Sequence, residues 1–394
     1  LKFWGTHIVK TKFDIQVSWH IFLFIVLVAL ILLLPPTKRF FSSLGQRWFY
    51  ITALSFTVSF CLTPLFRYLA IKWGLLDNPD ARKIHKKATP LLGGAAVFVA
   101  FGIGILINGV YSTELFAILA ASSIVFITGL IDDFKEIPAS IKLFVQVVST
   151  LLVVSFGIVL RVFPAGLGPF AQVFNIVLTF LWVVGITNAM NFFDGMDGLA
   201  TGLGAILSFF LGVVAFQTDQ PFLGWIAVAM MGSCLGFLPY NFRSKRSASI
   251  FLGDGGSTFI GFLLACLAVY GDWSENNPIV ALASPVLIFW VLIFDMVHIT
   301  VDRIVTGKIF SFKEWIEYVG KDHLHHRLSS ILRGPKKAVL FIYFLSLALG
   351  ISAVVLRNAR TIDAILLLLQ ALLIVLLMTI LERHGRGLSE KDGT

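Results

Sequence analysis

The sequence predicts an all-α, polytopic membrane protein, with about eleven core transmembrane helices plus one extra N-terminal helix. Hydrophobic residues make up 57% of the 394 and charged residues 13%, roughly half the charge of an ordinary soluble domain. The apolar residues gather in runs, most of them near the roughly 20 residues that cross a bilayer as a helix. Within each run they are continuous rather than alternating, which selects helices over a transmembrane barrel.

The first run, 16–35, ends in Pro35-Pro36-Thr37-Lys38-Arg39 without a small-residue cleavage site, so it reads as a span and not as a signal peptide. Eleven more follow at 49–71, 92–109, 113–131, 140–160, 171–190, 201–216, 222–239, 257–271, 279–299, 338–356 and 362–381. This divides the chain into an N-terminal segment with the extra helix (1–48), a polytopic domain (49–384) and a polar C-terminal tail (385–394). Short connections such as Gln217–Pro221 and Arg357–Thr361 favour antiparallel neighbours. The longest soluble segment is 300–337; within it, Phe310–Val319 has apolar residues at helical spacing. That pattern suits a short helix on the membrane surface, and an ordinary loop turn equally.

The net charge is +9. In a soluble protein that would point to nucleic acid; here orientation explains it, and no nucleic-acid partner is expected. Lys38, Arg39, Arg47, Arg161, Arg357 and Arg360 fall on one side of the predicted spans, and the rest of the 31 Lys and Arg on the other. The positive-inside rule places the richer side in the cytoplasm. That basic face would attract anionic headgroups and phosphorylated substrates. Cys61, Cys234 and Cys266 lie in or beside apolar runs without metal or redox spacing.

Four polar clusters sit where apolar runs end, and an even number of spans separates each from the next, so all face the same water. Asp132-Asp133 closes one run; a solvated helix terminus explains any single acidic pair, and a base or an anchor for a cation or a phosphate is the alternative. Asn191, Asp194 and Asp197 repeat every three residues beside Gly195 and Gly198. This ladder exceeds what a turn needs, and its hard oxygen donors suit Mg²⁺ or Mn²⁺. Gly253-Asp254-Gly255-Gly256-Ser257 opens a run. Asp254 or Ser257 could simply cap that helix, or the glycine-rich start could take a diphosphate with Asp254 on a metal. Phe251 stands beside it as a candidate base-stacking ring or a packing residue. His323, His325 and His326 with Arg327 suit phosphate oxygens better than zinc, since no further cluster completes a zinc set.

Asp295 and His298 are ionisable residues near the end of a span and functional candidates, with mutual pairing at a three-residue spacing as an equal alternative. The loop from Asp77 to Gly94, with Arg82-Lys83-Ile84-His85-Lys86-Lys87, is a topology signal that could also draw in a nucleotide-sugar diphosphate.

Together these motifs resemble the polyprenyl-phosphate N-acetylhexosamine-1-phosphate transferases. The likeness covers residues 49–384. It rests on five ordered motifs: Arg82-Lys83-Ile84-His85 with Pro90-Leu91-Leu92-Gly93-Gly94, Gly129 to Asp133, Asn188 to Leu199, Phe251 to Ser257, and His323 to His326. The His-x-His-His and Arg-Lys-x-His forms are closer to the WecA/TagO branch than to the MraY translocases. The resemblance implies Asn191 and Asp254 as ligands of Mg²⁺ (or Mn²⁺). It implies Asp132, Asp133 and Asp194 as catalytic carboxylates, and Lys86, Asp197, Phe251, His323, His325, His326 and Arg327 as substrate-binding residues. Its substrates would be UDP-GlcNAc and undecaprenyl phosphate, at the cytoplasmic face of a bacterial inner membrane, with membrane lipid around the chain and a homodimer left open. Glu136, a long Ser311–Lys321 segment and the extra span 16–35 depart from the family pattern.

The expected chemistry is transfer of GlcNAc-1-phosphate with release of UMP, by one-step displacement or through a covalent carboxylate intermediate. Another UDP-HexNAc is an alternative donor. A transporter would gather its polar groups at mid-membrane instead. A CDP-alcohol phosphotransferase needs an Arg where Thr201 stands.

Overall fold

Lipid offers no hydrogen-bond partners, so each segment that crosses it must pair its own backbone. In the computed structural model the chain does this with helices throughout. The structure describes residues 18–79, 88–274, 277–311, 314–315, 318, 320, 322–356 and 359–391, with side chains of the last helix described up to Ile380. Among these residues there are 15 α-helices. In chain order they are α1 (Trp19–Leu32), α2 (Pro35–Ser43), α3 (Arg47–Trp73), α4 (Gly93–Asn108), α5 (Thr113–Phe134), α6 (Ala139–Ser155), α7 (Pro169–Phe192) and α8 (Leu199–Gln217). Then come α9 (Pro221–Asn241), α10 (Gly253–Tyr270), α11 (Pro278–Ile288), α12 (Trp290–Val305), α13 (Leu324–Ile331), α14 (Pro335–Val355) and α15 (Thr361–Lys391).

The protein is an all-α polytopic membrane protein, but the expected count of spans changes. Eight helices are long and apolar enough to cross a membrane, or up to ten if each of two bent pairs is one span. The run predicted at 16–35 becomes α1 and α2, bent by 76°, because Pro35 and Pro36 cannot extend a helix and instead start a new one. The run at 279–299 becomes α11 and α12, bent by 79°; Pro285, one turn before the break, removes a backbone donor. The runs at 92–109 and 140–160 yield helices of 16 and 17 residues. The predicted surface helix at 310–319 lies largely outside the described residues.

Helix ends follow local chemistry. Ser112 caps α5 by accepting from Leu115 N–H at 3.2 Å, and Asn277 caps α11 by accepting from Ile279 and Val280. Prolines occupy the first turn of α7, α9, α11 and α14, where no donor is lost. Two cations on either side of the α2–α3 connection act locally. Lys38 Nζ donates to the Ile107 carbonyl at 2.6 Å, and Arg47 to the Asn108 carbonyl, both at the C-terminal end of α4 where cations are favoured. Arg47 also lies over the Trp225 ring, 3.8 Å from its centroid.

α10 is the central element, almost entirely enclosed. Phe259 on α10 meets Phe98 and Phe101 of α4 edge-on at 5.0 and 5.6 Å, and Phe98 stacks on Phe126 of α5 at 4.0 Å. Two glycine contacts bring these helices to backbone distance. A Cβ on Gly94 would lie 2.4 Å from Gly256 Cα, and one on Gly129 would lie 2.7 Å from the Asp254 carbonyl oxygen. Only glycine lets α4 and α5 close on the start of α10. Outward faces carry rings and aliphatic chains such as Phe116, Phe144 and Phe170, more than 60% exposed, as a lipid-facing surface requires. A two-stranded ladder pairs Leu76–Asp77 with Thr89–Pro90, and Leu91 bridges to Phe251.

Candidate active site

The contact at Gly129 sets the site, because Asp132 and Asp133 follow within one turn. They reach the first turn of α10, where four backbone amides have no helical partner. Asp133 Oδ1 accepts from Asp254 N–H at 2.8 Å and its Oδ2 from Gly255 N–H at 3.1 Å. Asp194, on the turn after α7, accepts from Gly253 N–H at 3.1 Å. Two carboxylates from other helices thus fill the amino end of α10, with the helix dipole favouring them. At this glycine-rich start, read from sequence as a cap or a diphosphate site, the amides of Gly253, Asp254 and Gly255 are engaged by Asp194 and Asp133.

The remaining oxygens look the other way. Lys142 Nζ of α6 lies 2.8 Å from Asp132 Oδ2 and 3.0 Å from Asp254 Oδ2, an ammonium between two carboxylates. Asp132 Oδ1 also accepts from Ile137 N–H at 2.6 Å. On the far side of Asp254, Asn191 Nδ2 donates to Asp254 Oδ1 at 3.1 Å and to Ser257 Oγ at 2.9 Å. Among the described residues Asn191 Oδ1 has no hydrogen-bond donor, which leaves it for another donor or a cation. One turn deeper, Gln146 and Asn188 exchange amide hydrogen bonds of 2.7 and 3.4 Å, holding α6 and α7 at the spacing that lets Lys142 and Asn191 flank Asp254.

The histidine cluster sits on the Asn191–Gly195 turn. The His323 ring packs on Phe192 with centroids 4.7 Å apart, and His325 on Phe193 at 5.4 Å. His325 Nε2 would be 3.1 Å from a Cβ on Gly195. His325 is 1% exposed and neither ring nitrogen has a hydrogen-bond partner among the described residues. Burial, then the neighbouring His326, His323 and Arg327, hold it well below its ordinary pKa, so its ring stays neutral near pH 7.

Asp295 and His298 do not pair with each other, the alternative that their spacing allowed. Asp295 bonds His323 Nδ1 at 2.7 Å, and His298 meets Arg327 at 3.2 Å. Their spacing places both on the side of α12 that faces the histidine loop. Asp197 accepts from Ala248 N–H at 2.7 Å, tying its loop to the strand of chain that leads to Phe251. Phe251 is anchored by its backbone, donating to the Pro90 carbonyl and accepting from Gly93 N–H, both at 2.9 Å. Lys86, with Arg82, Lys83 and His85, lies outside the described residues.

The structure therefore brings Asp132, Asp133, Asn191, Asp194 and Asp254 into one cluster, with His323 and His325 over its Asn191–Gly195 edge. Sequence reasoning missed Lys142, counted there only as a topological charge. Its signal was a lone lysine one turn inside an apolar run, ten residues after Asp132. Among the described residues no three His, Cys, Asp or Glu form a set ready to hold a metal. The Asn191 and Asp254 oxygens nonetheless match the hard, sparse protein ligation typical of Mg²⁺, which draws its other ligands from substrate phosphates and water.

Residues 115–272 match glycosyl transferase family 4. The chain is 34% identical over 305 residues to the probable undecaprenyl-phosphate N-acetylglucosaminyl 1-phosphate transferase of Bacillus subtilis strain 168, covering 76% of this chain and 82% of that protein. It is 33% identical over 364 residues to the decaprenyl-phosphate N-acetylglucosaminephosphotransferase of Mycobacterium tuberculosis H37Rv, covering 84% and 87%. It is 30% identical over 285 residues to the undecaprenyl-phosphate alpha-N-acetylglucosaminyl 1-phosphate transferase of Yersinia pestis, covering 70% and 75%.

Proposed function

The chain belongs to glycosyl transferase family 4, and from that premise we propose that it transfers GlcNAc-1-phosphate from UDP-GlcNAc to a polyprenyl phosphate, undecaprenyl phosphate in particular. An oxygen of the lipid phosphate attacks the sugar-linked phosphorus, the bond from that phosphorus to the bridging oxygen breaks, and UMP leaves. The observation that carries this reading is the Asp132–Lys142–Asp254–Asn191 row, which sets one fixed cation and one open amide oxygen around a carboxylate.

Asn191 and Asp254 would hold Mg²⁺, which when bound offsets the negative charge of the diphosphate. Lys142 supplies resident positive charge beside it. Phosphoryl transfer of this kind depends mainly on positioning and electrostatics. The lipid phosphate is already an anion near neutral pH, so no strong base is needed, and Asp132 orients it through Lys142. Asp133 and Asp194 support a one-step route: as nucleophiles they would first have to give up their bonds to α10. The histidine loop, with Arg327, closes on the sugar-phosphate side, while Asp197, Phe251 and Lys86 serve the nucleotide. The charge asymmetry of the loops supports a cytoplasmic-facing site in a bacterial inner membrane. Domain limits of 49–384 for the transferase unit and 1–48 for the added N-terminal segment follow the same reading.

The test is UMP release by detergent-solubilised protein with undecaprenyl phosphate and a panel of UDP-sugars. Release that requires both UDP-GlcNAc and the lipid is expected. Release with UDP-GalNAc alone would move the donor assignment, and no lipid-dependent release with any donor would overturn the reading.

A further inference from the structure

Helix α12 grips three consecutive residues of the histidine loop. Arg303, 4% exposed, donates Nε and an Nη to the two oxygens of Asp322 at 2.9 and 2.8 Å, with the Tyr318 ring 4.3 Å from the guanidinium carbon. Asp295, fully buried, takes the next two: Oδ2 lies 2.7 Å from His323 Nδ1 and Oδ1 accepts from Leu324 N–H at 2.7 Å. The second bond caps α13 from outside its own chain segment. The first fixes how His323 carries its proton, because a carboxylate partner needs Nδ1–H as donor. His323 Nε2 then has no hydrogen-bond partner among the described residues. The ring packs on Phe192 at a tilt of 33°, next to Asn191, and lies nearly parallel to His325 at 5.9 Å.

We propose that Asp295 is a positioning residue: it holds His323 in the Nδ1–H tautomer and so makes Nε2 the nitrogen that meets the sugar-phosphate of the donor. The proposal rests on the transferase reading for its substrate, but the proton assignment stands on the geometry alone. Asp295→Asn separates the two tasks of this side chain. The Leu324 amide still demands the side-chain oxygen, so the new NH₂ must face His323 Nδ1. That makes Nδ1 an acceptor and moves the proton to Nε2, inverting the tautomer while the cap stays in place. The same logic makes an Asp→Asn change costly where a carboxylate orients a working histidine.

Two measurements test it. In ¹⁵N-histidine-labelled protein in detergent, the His323 signal, assigned by its loss in His323→Gln, should report Nδ1–H in the wild type and Nε2–H in Asp295→Asn. A wild-type Nε2–H signal, or no change in the variant, overturns the proposal whether or not UDP-GlcNAc is the donor. In the UMP-release assay, Asp295→Asn should lower kcat/KM about 10- to 100-fold, and should cost nothing further in a His323→Ala background. A merely structural role would instead lower Tm and give penalties that add across the two variants. Full activity of Asp295→Asn, or an undiminished penalty in the His323→Ala background, also overturns it. Wild-type protein that turns over no UDP-sugar would sink the transferase reading, and the labelled-histidine result would still decide the tautomer.

Discussion

Asp133 of α5 accepts the backbone amides of both Asp254 and Gly255, at 2.8 and 3.1 Å, and so ends one helix by starting another. This separates the members of the Asp132-Asp133 pair. Asp133 faces the α10 backbone, whereas Asp132 faces Lys142 and the open side of the cluster. Asp133→Asn should therefore lower thermal stability in detergent, by about 1–2 kcal/mol for a weakened cap. Asp132→Asn should leave Tm nearly unchanged and reduce UMP release. Equal loss of Tm in both variants would contradict this division.

Lys142 is the cation that permits Asp132 and Asp254 to approach one another. Lys142→Met should reduce kcat by about 100- to 1,000-fold, the range for loss of one preorganised electrostatic partner. Lys142→Arg should recover part of it. Turnover measured at saturating donor and lipid decides the matter, and an active methionine variant would remove Lys142 from the site.

Asn191→Ala and Asp254→Ala should each abolish transfer without unfolding the protein. The loss should be at least about 100-fold and should be deepest at low Mg²⁺. Titrating Mg²⁺ against UMP release checks this, with full activity of either variant under limiting Mg²⁺ as the refuting result.

Gly129→Ala tests the crossing of α5 and α10. Its new methyl would meet the Asp254 carbonyl oxygen and the Gly255 backbone at 2.7 Å, atoms that cannot swing aside. A loss of about 1–3 kcal/mol is expected, as for overpacking, with Tm and activity falling together. Gly102→Ala, where nothing lies within 4 Å, is the control and should be neutral.

Acidification should weaken the histidine loop through His325. Burial, then the neighbouring His326, His323 and Arg327, keep the folded His325 pKa well below the ordinary value, near 6.5 in the unfolded chain. The unfolded chain therefore binds a proton that the folded chain refuses, and stability falls as pH drops below about 6.5. Asp322 has the same sign at lower pH. Burial pushes its carboxyl up, but the hydrogen bonds and charge of Arg303 outweigh that and hold it below the usual range. Its contribution is lost as pH falls through about 4 and below. Tm followed from pH 7.5 to 5.5 should decline, and more shallowly in His325→Gln.

The helical class and the positions of the apolar runs were legible because continuous apolar stretches have one economical solution in lipid. The breaks at Pro35-Pro36 and after Pro285 were marked by residue type, yet whether a proline bends a span or ends it depends on what packs behind it. The clustering of Asp132, Asn191 and Asp254 was readable from their common side of the membrane. The partners were not. Lys142 looks like a topology signal until α6 is placed beside α10. Asp295 sits three residues from His298 but bonds His323, since helix spacing defines a face and not what lies opposite it. The capping role of Asp133 was hidden for the same reason: it acts on a helix that begins 120 residues later.

The bonds from Lys38 and Arg47 to the last carbonyls of α4 have a consequence at a distance. α4 is a short rod, about 24 Å long at 1.5 Å per residue, held at one end by Lys38 of α2 and Arg47 of α3 and resting at the other, through Gly94, on Gly256 of α10. The N-terminal helix α2, through Lys38, thereby bears on where α4 stands relative to α10. A helix remote from the site serves as the far footing of a strut whose near end bears on the start of α10, so damage there would be felt at the acidic cluster.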